Sequence, residues 1–249
     1  MTITEHIKKE IQNIKEKPQK ERWEYFWDYY KWHTVIIVLV LALLVQGIIG
    51  ACNRKDVVFA GYLLNCKVNL QEDEFLQGFY DYADIEDDKE AALYSDMILK
   101  TGQPKNEIAT FQRIMAGISV QEADFLVGQD DSFRLCAYST GRMFKDLREF
   151  LDAEALEFYA DRLYYIDGAL LDQLEDSVGN SVDYNQLTYP DPRKPESMEN
   201  PIPVGIDISD REAFRSAYYY ENTKLYLGVI VNTARPELTK LFLDYLWSE

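Results

Sequence analysis

From Val35 to Val45 the chain is unbroken apolar, VIIVLVLALLV, and with Thr34, Gln46 and the following GIIGA the run reaches Ala51. As a helix these 18 residues span roughly 27 Å at ~1.5 Å per residue, about one hydrocarbon thickness. A helix on a soluble core keeps a polar stripe, and Val35–Val45 has none. No second run approaches this length. The run therefore predicts a single transmembrane helix over 34–51, dividing the chain into an arm of residues 1–33 and a domain of residues 52–249.

Lys17, Lys20, Arg22 and Lys31 precede the run, whereas Arg54, Lys55 and Lys67 follow it. That bias favours a cytoplasmic N-terminus and a main domain outside. The stretch before the run, ERWEYFWDYYKWH, holds three of the four Trp. Trp23, Phe26, Trp27 and Tyr30 fall on one helical stripe; Tyr25, Tyr29 and Trp32 form a second. Amphipathic rings of this kind prefer the headgroup layer, which is the expectation here; docking of a partner protein's membrane helix on Trp23, Trp27 and Trp32 is the alternative. Ile49-Gly50-Ala51-Cys52 resembles a lipobox, but the polar front of 33 residues is long for a signal peptide, so an uncleaved signal anchor is expected and lipidation of Cys52 is the alternative.

Net charge is −17, with 26 basic and 43 acidic residues. Residues 1–52 hold 7 and 6 of these, leaving 19 basic and 37 acidic residues for the remainder. A surface that acidic repels phosphate backbones, so nucleic acid is excluded as a partner. The two histidines, His6 and His33, both precede the apolar run. The domain beyond it thus lacks the means for Ser-His-Asp or Cys-His catalysis or for His-ligated zinc. Neither a phosphate-cradling Gly-rich loop nor a CxxC pair occurs. No cofactor and no metal is implied, and the expectation is a protein that is not an enzyme. Cys66 and Cys136 are either two isolated thiols or a disulfide pair. The acidic run Asp84-Ile85-Glu86-Asp87-Asp88 lacks the Gly and terminal Glu of a calcium loop and reads as a solvated turn.

Beyond the anchor, periodicity predicts strand 57–64, helix 74–83, strand 91–99, helix 106–118, strand 123–127 and helix 131–138. This β-α alternation predicts a parallel sheet covered by helices. The second half reads as short helices over 144–151 and 154–161 and a strand over 162–167. Next come a proline-rich loop over 179–203, an apolar segment 204–208, and a short helix capped by Asp210. A strand over 224–231 follows, and Pro236 opens the closing helix.

Three stretches resemble type II periplasmic or extracellular solute-binding proteins. They are FQRIMAGISVQEAD; ADFLVGQDDSFRLCAYSTGRMFKDLREFL, with its Met143-Phe144-Lys145-Asp146-Leu147 segment; and VGIDIS…LYLGVIVNTARPELTKLFLDYL. The resemblance spans about residues 57–247 as a succession of elements. It implies an α/β fold with one parallel-sheet lobe and a reduced second lobe at about 152–203. On that fold a ligand sits beyond the C-terminal ends of the strands. That places Asn65, Gly128, Gln129, Asp130, Tyr165, Asp167 and Asp207 as candidate ligand-binding residues. With no clustered Arg or Lys expected there, the ligand is expected to be small and neutral or cationic. The function expected is a membrane-anchored binding or sensing module. The alternatives are a structural or assembly partner of a membrane complex and, behind both, a carboxylate-based hydrolase.

Overall fold

The computed structural model describes residues 18–52, 55–99, 104–139, 141–176, 187–221 and 224–248. The chain divides into two compact units, Met1–Lys55 and Asp56–Glu249.

The first unit is built on one helix, α1 (Gln19–Cys52), of 34 residues. The aromatic stretch and the apolar run therefore share a continuous helical backbone about 50 Å long at ~1.5 Å per residue. Every large apolar side chain from Val35 to Val45 is about half exposed, on all sides of the helix. Among the described residues no helix is long and apolar enough to cross a membrane. Within α1 the side chains of Trp27 and residues 31–47 are described, so those of Trp23, of 48–51 and of Cys52 lie outside the described residues.

The second unit is α/β. Its elements are β1 (Asp56–Leu64), β2 (Lys67–Val68), α2 (Glu72–Ala83), β3 (Lys89–Met97), α3 (Pro104–Ser119), β4 (Phe125–Gln129), α4 (Asp130–Ala137), α5 (Leu147–Phe150) and α6 (Ala153–Phe158). The chain continues through β5 (Leu163–Asp167), α7 (Gly168–Asp176), β6 (Pro201–Asp207), α8 (Glu212–Ala217), β7 (Tyr218–Tyr219), β8 (Leu225–Val229) and α9 (Pro236–Trp247). Six strands form one sheet in the order β3-β1-β4-β8-β6-β5, and β2 and β7 form a small ribbon.

The parallel alternation expected from the sequence holds for β3, β1 and β4. The rest is antiparallel: β8 runs against both β4 and β6, and β5 against β6. The reason is local. β8 starts opposite Gln129 and Asp207, at the sheet edge where β6 has just ended. A chain that re-enters a sheet where it left must reverse direction, whereas a parallel neighbour needs a crossover to the far edge. Four of the six strands (β1, β3, β4, β6) still point one way.

β1 is buried over its last six residues, as its continuous apolar run requires of a strand covered on both faces. Alternate residues feed two cores. Phe59, Leu63, Phe125 and Val127 pack on one face with α2, α8 and α9; Tyr62, Leu64 and Leu126 pack on the other with α3, α4 and α7. On the first face Gly78 lets α2 approach α9, because a Cβ there would lie 2.4 Å from the Tyr245 hydroxyl. That hydroxyl donates to the Phe75 carbonyl at 3.0 Å.

Three sequence expectations change. The loop read over 179–203 ends earlier, because β6 begins at Pro201. Two prolines fit there since the first half of β6 pairs only with β5, and Pro203 lies at a register shift opposite Tyr165. Asp210 does not cap α8, whose N-cap is Arg211; it accepts both Arg162 amino groups at 2.7 and 2.8 Å instead. Nor does 152–203 form a second lobe. Its strands β5 and β6 complete the same sheet within one compact unit, and residues 177–186 lie outside the described residues.

Candidate functional site

Four of the residues expected to bind a ligand meet at the C-terminal edge of β4 and β6. Gly128 and Asp207 both pair with Tyr226 of β8, Gln129 pairs with Leu225, and Asp130 opens α4. Asn65, just past the C-terminal end of β1 beside β4, shares that edge but is spent on the backbone, whereas Tyr165 and Asp167 are elsewhere. Asn65, in the left-handed region at φ 57°, clamps Leu99 through its amide, donating to the carbonyl at 2.7 Å and accepting the N–H at 2.8 Å. That clamp extends the β1–β3 pairing. Asp167 ends the antiparallel β5 and so lies at the opposite edge, beside Pro201. Tyr165 packs on the α2/α9 face, whereas its neighbour Tyr164 joins the other core.

The C-terminal edge is filled. Tyr164 and Tyr226 are 1 % and 3 % exposed, with ring centroids 4.7 Å apart. Tyr189 packs tilted against Tyr138 at 4.8 Å and lies beneath the Arg134 guanidinium at 5.4 Å. Cations do gather here, contrary to the sequence expectation. Arg134 pairs with Asp130 at 3.2 Å and Asp131 at 2.5 Å. Asp207 takes Lys224 at 3.2 Å, Arg193 at 3.8 Å and the Ser209 N–H at 2.9 Å. Burial raises the Asp130 carboxyl above its ordinary range despite Arg134. Burial works the same way on Asp207, but Ser209 and Lys224 outweigh it and hold that carboxyl low. The Tyr226 phenol is pushed up to about 12 by burial and then by Asp130 and Asp207. These charges neutralise one another around packed rings, which suits a structural edge better than an open binding crevice.

Asp167 is also a structural carboxylate. Burial opposes its ionisation, but the N–H groups of Asn200, Glu199, Ala169 and Leu170 outweigh burial and hold it low. A carboxyl depressed in the folded state contributes stability above the unfolded value of ~3.9, and loses it as pH falls through the folded one. The melting-temperature gap between wild type and Asp167→Asn should therefore be full at pH 6 and narrow below about pH 4. A gap independent of pH would contradict this account.

An open cleft lies where the sheet splays. β6 and β8 pair only at Ile206–Leu227 and Asp207–Tyr226. Beyond that point the chain at 143–145 takes the place of β6 beside β8. Lys145 N–H donates to the Val229 carbonyl at 2.8 Å, Val231 N–H donates to Met143 at 3.0 Å, and Phe144 bridges to Ile230. The helix expected over 144–151 is thereby reduced to 147–150, capped by the Asp146 carboxylate on the Arg148 N–H at 2.9 Å. Gly228 gives the Phe144 ring its seat, since a Cβ there would lie 2.7 Å from it. Phe144 stacks in turn on Phe133 at 4.8 Å.

Between this inserted segment and β6 is a cleft of about 330 Å³, at the small end of ligand-site volumes. Phe144, Ile166, Leu171, Ile202 and Val204 line it, and Arg142, Lys145, Asp146 and Glu149 contribute polar groups. Arg142 is paired with Asp172 and Glu175. Both Asp146 oxygens accept from Arg148, at 2.6 to 3.1 Å. Lys145 is half-buried and has no carboxylate partner among the described residues. Sequence reasoning missed this cleft; its one local trace is the Pro-Ile-Pro start of β6, a strand half short of backbone donors.

Cys66 and Cys136 are separate free thiols. Burial pushes the Cys66 thiol up to about 11 and raises that of the fully buried Cys136 further, so neither is primed for nucleophilic attack. Among the described residues no group of three His, Cys, Asp or Glu could hold a metal ion. Compared with protein-family models, with curated proteins and with solved structures, the chain matches none.

Proposed function

We propose that this protein is a membrane-held binding module that takes a small ligand reversibly, without turnover, in the cleft between residues 142–149 and β6. The cleft itself carries the reading: a packed sheet opens at one seam onto a small cleft of mixed apolar and charged lining, with convergent polar groups of the kind that orient a ligand. The anchoring part rests on the 18-residue apolar run, which lies on one continuous helical backbone. The cytoplasmic N-terminus and external domain rest on the Lys/Arg bias. Resemblance to type II solute-binding proteins agrees with a binding role, and the return strand it implied at 224–231 occupies the seam between β4 and β6. The lack of histidine after residue 33 and the neutralised carboxylates of the C-terminal edge favour binding over hydrolysis.

A second reading has its own observation. The filled C-terminal edge would suit an assembly partner that has no ligand, contacting a membrane protein through Trp27 and Trp32, 61 % and 69 % exposed. One experiment separates the two. Full-length protein, recovered from the membrane fraction, is screened by thermal shift against small metabolites beside Ile202→Trp, which fills the cleft. Stabilising compounds that lose their effect in Ile202→Trp are expected. Recovery in the soluble fraction would remove the anchor, and hits indifferent to Ile202→Trp, or no hits, would remove the cleft.

A further inference from the structure

We infer that the cleft is selective for a small organic acid with an apolar body, whose carboxylate is received by the Lys145 ammonium; this rests on the cleft being the binding site. The charges lining the cleft are not equivalent. Arg142 is committed to Asp172 and Glu175, and Asp146 is committed to Arg148 and to the α5 N-terminus. Glu149 is exposed to water. Lys145 alone combines partial burial, a place in the cleft lining and no carboxylate partner among the described residues. An ammonium on the cleft lining that no carboxylate of the described residues holds is free to receive the carboxylate of a ligand.

The position is also rigid. The Lys145 N–H is fixed on Val229 at 2.8 Å, and the preceding Phe144 is pinned by its stack on Phe133. Little ordering is left for the ligand to impose. The apolar wall facing the hydrocarbon body is Ile202, backed by the nearly buried Ile166, Leu171 and Val204. A cationic ligand, which the sequence expectation admitted beside a neutral one, would meet Lys145 as a like charge. It would find Asp146 already occupied.

The test uses three molecules with one branched hydrocarbon tail: isocaproate, isohexanol and isohexylamine. Each is titrated calorimetrically into full-length protein in mild detergent. Isocaproate should bind most tightly. Lys145→Gln should weaken it at least tenfold with the melting temperature unchanged, while the distant Lys67→Gln should leave the affinity as it was. Equal or tighter binding of the amine or alcohol, unchanged affinity in Lys145→Gln, or no binding of isocaproate would each overturn the inference. A hit of another chemical class that disappears in Ile202→Trp would sink this selectivity but keep the cleft as the site; the absence of any hit would sink both.

Discussion

Replacing Arg235 with alanine should lower the stability of the 56–249 unit by about 3–5 kcal/mol, the range found when one partner of a buried ion pair is removed. Asp124 is fully buried, and Arg235 meets it through Nε at 3.0 Å. The same guanidinium donates to the carbonyls of Gln121 at 3.0 Å, Glu122 at 2.8 Å and Val57 at 3.3 Å. Asp124 also accepts the Ala60 N–H at 2.9 Å and the Thr233 hydroxyl at 2.6 Å. One side chain thus ties the entrance of β1, the entrance of β4 and the turn before α9 together. Alanine would leave a carboxylate in the core and several carbonyls without their donor. At ~2–4 °C per kcal/mol for a domain of this size, the melting temperature should fall by at least about 6 °C. Lysine at 235 should recover part of this, because it keeps the charge but loses the planar fork. A loss below about 1 kcal/mol by denaturant titration would show that water replaces the guanidinium freely.

Phe242→Ala should have a comparable effect, about 3–5 kcal/mol. The ring is fully buried and lies 4.8 Å from Phe125, 5.1 Å from Phe79, 5.2 Å from Phe59 and 6.2 Å from Phe75 by centroid. Rings held on three different elements leave the space poorly able to collapse, so most of the cavity term should survive. Phe242→Leu should cost less than half as much, because it refills much of the volume. Equal losses for the two variants would mean that the ring geometry, rather than cavity volume, sets the cost.

What the sequence made legible was mostly local. The apolar run of β1, the 3.6-residue spacing of Phe75, Phe79 and Tyr80, and Pro236 at the start of α9 each predict their element from neighbours a few residues away. Pairing across long separations was not legible. Nothing near Lys145 announces that Val229 will be its partner, and nothing in Asn-Thr-Ala-Arg-Pro-Glu indicates that Arg235 reaches Asp124. Asp210 misled because an Asp before an apolar stretch fits a cap, while a two-pronged bond from Arg162 competes for the same oxygens. The candidate site divided for a similar reason. Tyr165 and Asp167 were placed by assuming parallel strands, and reversing β5 sends its C-terminal end to the other edge and fixes which of Tyr164 and Tyr165 faces which core.

The position of β8 has a consequence for how the chain matures. The strand that fills the middle of the sheet, between β4 and β6, is the last of its six strands in chain order. Until residues 225–229 are released, β4 and β6 have nothing between them, and each presents a bare row of hydrogen-bonding groups to any other strand in reach. Completion of the sheet thus waits for β8, in a slow step that for β4 closes a loop of about a hundred residues. A product truncated between Asp207 and Leu225 would be two half-sheets, a better substrate for proteases and for self-association than for folding.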